Sequence, residues 1–238
     1  VNVVYWSVFQ KGINVINNKP LVNIKELTKD IKFQPNDRAT NFNLCPSYHA
    51  EATKTFNLLA PFDYYIEFKD NQVRTRQYDQ KVFDHYVTVN DVSNKLLQLN
   101  YSYIFFTEET CIMTLSGPYF TDSDLSTKAN YMPGSFDISK WFRNINVAFM
   151  LKPQFNDVDI KEGDPVQSIK FDFFNDEKIV FKKFYISHVL DTIHESSMKN
   201  RVFFDKNVNK YLSKVYDLFT QSKIKHTILK EIKANLME

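Results

Sequence analysis

The sequence predicts a mainly β fold, a β-sandwich or jelly roll (double-stranded β-helix-like) closed by a C-terminal helical segment. Three observations carry that expectation. Residues Trp141 to Phe174 read as two or three short strands joined at a tight Glu162-Gly163-Asp164-Pro165 corner. The runs Val3 to Phe9 and Tyr101 to Thr107 are dense in β-branched and aromatic residues and read as buried strands. From about Val202 the apolar spacing turns helical, through Val208, Tyr211, Leu212, Val215, Leu218 and Phe219, then Ile224, Ile228 and Ile232. The expected organisation is a β-rich domain over 1–200 and a helix or helix pair over 201–238, packed on it or mediating assembly.

The elements follow in order. After Val3 to Phe9, Gly12 and Asn17-Asn18-Lys19-Pro20 are turn signals. Ile31 to Phe33 reads as a short strand. Residues 36 to 61 look irregular, with Cys45-Pro46 and Ala60-Pro61 as punctuation and Thr55 to Leu59 as a strand within them. Phe62 to Phe68 is a strand, Asp70-Asn71 turns the chain, and Val73 to Tyr78 returns as a hairpin arm. Val82 to Val89 reads as a strand, and Cys111 to Leu115 as another. Residues 116 to 135 look like a long loop, of a length that often covers a site or an interface. Ile145 to Leu151, Val158 to Ile160 and Val166 to Phe174 are strands, and Lys178 to Ile186 alternates as a half-exposed one.

Composition excludes several classes. The 238 residues include 22 Phe and 13 Tyr, enough aromatic surface for a substantial core without disulfides. Only four glycines occur, and no GxGxxG, GxxxxGK[ST] or GxSxG motif is present, which argues against dinucleotide, P-loop and α/β-hydrolase sites. The net charge of +2 gives no strong drive toward nucleic acid or an anionic membrane. No apolar run reaches the ~20 residues of a membrane-spanning helix. Cys45 and Cys111 form no CxxC and read as two buried thiols in a reducing compartment.

Candidate chemistry is sparse. His49-Ala50-Glu51 is an H-x-E triplet. On a strand, residues two apart share a face, so His49 and Glu51 could join a distant histidine such as His188 around Fe(II), as in jelly-roll oxygenases. The simpler reading is a solvent-facing histidine, so no cofactor is predicted, with Fe(II) as the alternative. Asp84-His85, and Asp191 three residues before His194, are possible acid–base pairs or ordinary surface pairs. Arg74, Arg143 and Gln167 are candidate ligand-binding residues, the last because a Gln follows the Gly163 corner as in β-clip nucleotide enzymes. Arg74, Arg76 and Lys81 interleave with Tyr78 and Phe83, but nearby Asp79 and Asp84 argue against a nucleic-acid surface.

Three segments together have a familiar look. They are Cys45-Pro46 with Ala60-Pro61-Phe62-Asp63-Tyr64, then Gly134-Ser135-Phe136-Asp137-Ile138 with Trp141-Phe142-Arg143, then Lys161-Glu162-Gly163-Asp164-Pro165. The arrangement resembles uncharacterised open reading frames of large tailed phages of marine bacteria. The resemblance implies a viral or environmental source and synthesis inside a host cell, hence a cytoplasmic or virion-associated protein. It carries no activity. The reading that follows is a non-enzymatic binding or structural protein. Its expected partners are a second copy held through the C-terminal helix, or a virion or host protein, without a membrane.

Overall fold

The computed structural model describes residues 1–9, 20–28, 45–77, 79–175, 177–204 and 222–237. The chain opens with β1 (Asn2–Val8), β2 (Leu21–Asn23), α1 (Ile24–Leu27), α2 (Pro46–Ala52) and β3 (Thr55–Leu59). Next come β4 (Tyr64–Lys69), β5 (Gln72–Arg74), α3 (Gln80–Tyr86), β6 (Val87–Asp91) and β7 (Leu96–Phe106). They are followed by β8 (Cys111–Ser116), α4 (Asp124–Lys128), β9 (Ala129–Tyr131), β10 (Gly134–Asp137) and β11 (Asn144–Leu151). The last elements are β12 (Asp157–Ile160), β13 (Pro165–Phe173), β14 (Ile179–Lys183), α5 (His188–Phe204) and α6 (Ser222–Ala234). The protein is mainly β, as expected.

The strands form three sheets. The largest runs β14-β1-β7-β11-β9, with β6 also paired to β7. The second runs β10-β8-β13-β3-β2, and the third β12-β4-β5. Among the described strands, β1 and β14 pair in parallel and all other pairs are antiparallel.

β7 organises the largest sheet. Its first half pairs with β6 on one edge and its second half with β1 on the same edge, while β11 follows the other edge throughout. The change of partner coincides with an irregularity. Ser102 has φ +58, and the register of β11 shifts opposite it, between Ile145 and Val147. The Ser102 carbonyl then accepts the Phe9 N–H at 2.7 Å, just beyond the end of β1.

Strand side chains alternate between faces, and both faces of this sheet are covered where β1 meets β7. Val4, Trp6, Tyr103 and Phe105 face a core shared with the other two sheets through Leu58, Ile66, Met113, Ile160 and Phe171. Tyr5, Ile104 and Phe106 face the opposite way, into a second cluster with Phe142, Leu190 of α5, and Ile228, Leu229 and Ile232 of α6. Two-sided burial explains why these strands read as continuous apolar runs rather than alternating ones. The spacing of four in Ile224, Ile228 and Ile232 is the contact stripe of α6, as expected, and it packs on the chain's own sheet. Lys233 fixes the helix to Glu108, in the β7–β8 connection, by an ion pair of 2.7 Å.

Turn chemistry holds where the sequence placed it. Asp70 and Asn71 have φ +54 and +56, the left-handed pair that a two-residue hairpin needs between β4 and β5. Gly163 has φ +85 at the corner before β13, and its N–H donates to the Ala60 carbonyl at 2.9 Å.

Several expectations are overturned. Val82 to Val89 is not one strand: α3 takes Gln80–Tyr86, because Asp79 caps it through the Lys81 N–H at 2.8 Å and Phe83 and Tyr86 share a buried face. Residues 116 to 135 are not a structureless loop, since they carry α4, capped by Ser123, then β9 and the start of β10. The segment around His49 is helical, with Pro46 in the first turn where its missing N–H costs nothing. Helix begins at His188, well before Val202. Cys45 is exposed rather than buried; Cys111 is buried, and both are free thiols. Burial pushes the Cys111 thiol up to about 12. The strand expected at Ile31 to Phe33, the hairpin residue Tyr78 and the helical positions Val208 to Phe219 lie outside the described residues. No helix among the described residues is long and apolar enough to cross a membrane.

Two substitutions test this architecture. Ile228→Ala removes a fully buried side chain from the helix–sheet cluster and should cost about 2–5 kcal/mol in urea denaturation. A cost under 1 kcal/mol would show that α6 is not docked there. At the exposed β4–β5 turn, Asn71→Val should cost about 1 kcal/mol and Asn71→Gly nothing, because only the first meets the left-handed penalty.

Candidate functional site

The edges of the two large sheets come together at β14 and at β2–β3. Phe56 of β3 packs edge-on against Phe181 of β14, with ring centroids 4.9 Å apart. Above this contact lies an open groove of about 710 Å³. Its walls come from four places. Lys25 is on α1, whose start is fixed by the Asn23 side chain accepting the Lys25 N–H at 2.9 Å. His49 projects from α2, Lys54 precedes β3, and Glu177 and Lys178 lead into β14. Phe56 gives the groove an apolar surface. Among the described residues, the charged lining is three ammonium groups against one carboxylate. The volume suits a small-molecule ligand, and the charge suits an anionic one.

The structure separates the remaining candidate residues. His49 and Glu51 sit two apart on a helix, about 200° around its axis, so they do not share a face as they would on a strand. Glu51 reaches β13 instead, where its carboxylate pairs with Lys170 at 2.9 Å. His188 is exposed at the start of α5. No group of three His, Cys, Asp or Glu side chains able to hold a metal occurs among the described residues. Arg74 is on the outer β4–β5 hairpin, beside a shallow depression of about 500 Å³ with Gln72 and Gln80. Arg76 lies over the Tyr65 ring at 4.4 Å and pairs with Glu67 at 3.2 Å. Phe83 is buried, so it is no stacking platform for a base. Asp84 accepts from the Gln80 amide at 2.8 Å, within α3, and His85 beside it is exposed.

Arg143 and Gln167 fall on opposite faces of the largest sheet. Gln167 is buried on β13, between the sheets. Arg143 lies under α5, its Nη2 donating to the Met198 sulfur at 3.0 Å and its guanidinium 5.6 Å from the Trp141 ring. No single anion site can use both residues.

Beside Arg143 lies His194, which is 5 % exposed. Its ring stacks on Phe9 at 3.7 Å, and its Nε2 meets the Asn144 side-chain oxygen at 3.2 Å. Burial first, and then the Arg143 charge, hold its pKa down at about 4. In the sequence, His194 stands out by its spacing from Asp191. Burial of an imidazole beneath a helix depends on tertiary packing, which that spacing does not encode.

No protein-family model matches the chain, and no curated protein or solved structure matches it.

The His194 environment makes a pH prediction. The unfolded imidazole titrates near 6.5 and the folded one near 4, so the unfolded state binds the extra proton between those values. Stability is therefore fully present above pH 6.5 and falls as the pH drops from 6.5 to 4, by on the order of 2–3 kcal/mol from this group. Urea midpoints measured across that range should decline for the native protein and decline less for His194→Gln. Parallel curves would remove His194 as the cause.

Proposed function

We propose that this is a binding protein rather than an enzyme, and that its ligand is a small anion or an anionic metabolite held in the groove between β14 and α2. The observation that carries the reading is the lining itself: Lys25, Lys54 and Lys178 converge from three chain segments on one concavity with an apolar surface. Lysines spread evenly over a surface would not distinguish one concavity from another. A phosphate or carboxylate head would meet the ammonium groups, while an apolar or aromatic body could rest on Phe56. The same reading takes the two large sheets as the layers of a sandwich, supported by the core cluster that draws on both.

The dispersal of His49, Glu51 and His188 favours binding over the oxygenase alternative. His49 would then serve as a hydrogen-bonding rim residue of the groove.

Calorimetric titration with inorganic phosphate, pyrophosphate and a nucleoside triphosphate tests the proposal. At least one should bind saturably at constant ionic strength, and Lys54→Glu with Lys178→Glu should weaken it at least tenfold while leaving the melting temperature close to the native one. Absence of binding across the panel, or equal binding by the double variant, would sink the groove as the site.

A further inference from the structure

We infer that the interior between the two large sheets contains a built site for bound water, formed by the Gln167 side-chain amide and the Tyr101 and Tyr131 hydroxyls. The three groups come from β13, β7 and β9, and no two are neighbours in sequence.

Gln167 is 1 % exposed, and neither its Oε1 nor its Nε2 has a hydrogen-bond partner among the described residues. Tyr101 is 4 % exposed, and its hydroxyl is equally unpartnered. The Tyr131 hydroxyl is buried and, among the described residues, unpartnered as well. Adjacent polar groups do not share this condition. On the other face of the same strand, Ser168 donates to the Asn57 side-chain oxygen at 2.7 Å, and the Asn57 amide donates to the Tyr119 carbonyl at 2.7 Å. There the protein satisfies its own polar atoms. On the Gln167 face it does not.

Strand geometry places the three groups together. Gln167 has the parity of Ile169 and Phe171, so it points with them into the core. Phe171 touches Phe105 of β7, with centroids 5.6 Å apart. Seven residues before Phe171, Asp164 lies close enough to Tyr101 to act on it electrostatically, and Tyr101 is four residues before Phe105. These two anchors run β7 and β13 in the same direction across the facing sheets. Gln167 lies between the two anchors on its strand, which span Tyr101 to Phe105 on β7, and Tyr131 also acts electrostatically on Tyr101, so the three groups share one region of the interior.

Tyr131 arrives from the side. Ser168 of β13 pairs with Ser116 of β8, so the register continues with Gly117 beside Gln167. A Cβ on Gly117 would come 3.1 Å from the Tyr131 ring. The ring thus occupies the space that a side chain at 117 would fill, next to Gln167.

The chemistry selects the ligand. An amide and two phenols offer both donors and acceptors and carry no charge. Burial first, and Asp164 among the smaller causes, raise the pKa of both phenols, so the hydroxyls keep their protons and the local field disfavours an anion. No carboxylate among the three groups favours a cation. A small neutral molecule that donates and accepts fits, and water makes two to four such bonds in sites of this kind. Leaving four polar atoms dry in a core would be costly at each one.

Two measurements on the intact protein decide the matter. Oxygen-17 relaxation dispersion, with water-to-amide cross-relaxation at the Gln167 and Gly117 N–H groups, should show at least one long-lived internal water in the native protein. Gln167→Leu should lose that signal and melt at a lower temperature, because the tyrosine hydroxyls lose their bridge. Tyr131→Phe, a smaller change, should shorten the water residence time at the same amides. If Gln167 is simply a dry, unpaired amide, Gln167→Leu would melt higher and the native protein would show no slow water near residue 167. Either result would overturn the site, as would an organic molecule found there by high-resolution crystallography.

Discussion

Two-sided burial of β7 is the constraint on which the rest of the molecule depends. Its odd-numbered side chains from Leu97 to Phe105 enter the core shared by all three sheets, while Ile104 and Phe106 enter the cluster under the C-terminal helices. One strand therefore belongs to two hydrophobic clusters at once. It also pairs with β1, β6 and β11, so it couples layers through side chains and neighbours through hydrogen bonds. The irregularity at Ser102 lets a single strand of eleven residues serve two partners along one edge.

This layering decides where polar chemistry can sit. A polar group between layers must be paired, bridged by water, or have its charged form suppressed. Ser168 with Asn57 shows the first, Gln167 the second and His194 under α5 the third. The groove lies elsewhere, at the seam where the outer strands of two sheets come together, and it is open. Water reaches the lysines there, so their charges need no buried counter-ions. Concentrating cations at a sheet edge has the further effect of discouraging another strand from docking on it.

Much of the strand framework was legible because two-sided burial writes itself into composition. Val3 to Phe9 and Tyr101 to Thr107 could hardly be anything else, and Gly163 and Asp70-Asn71 punctuated the chain where φ is positive. The short helices were harder. α2, α3 and α4 span five to seven residues each, too few for periodicity to separate them from strands, so their capping residues Asp79 and Ser123 and the first-turn Pro46 were the usable signals. The groove was legible only in one member, His49, and for a different chemistry. Its lysines are scattered at positions 25, 54 and 178, and only the meeting of two sheet edges brings them together. Likewise Arg143 and Gln167 are both buried polar residues, but one sheet stands between them, and a linear sequence does not say on which side of it a residue falls.

The parallel ladder between β1 and β14 has a consequence for how the molecule is made. Asn2 pairs with Ile179 and Trp6 with Lys183, so the two edges of β1 are completed by strands that lie far apart in sequence. During synthesis from the N-terminus, the apolar run Val3 to Val8 emerges before its partners and finds its β7 edge only after some hundred residues. Its other edge stays open until β14 is translated. Contacts of such separation form late, since the intervening chain must be ordered before they are rewarded. An exposed, apolar strand edge awaiting its partner is a template for other chains. The nascent protein is thus most vulnerable to misassembly in the interval before β14 closes the sheet, and the final ladder is also the step that ends that vulnerability.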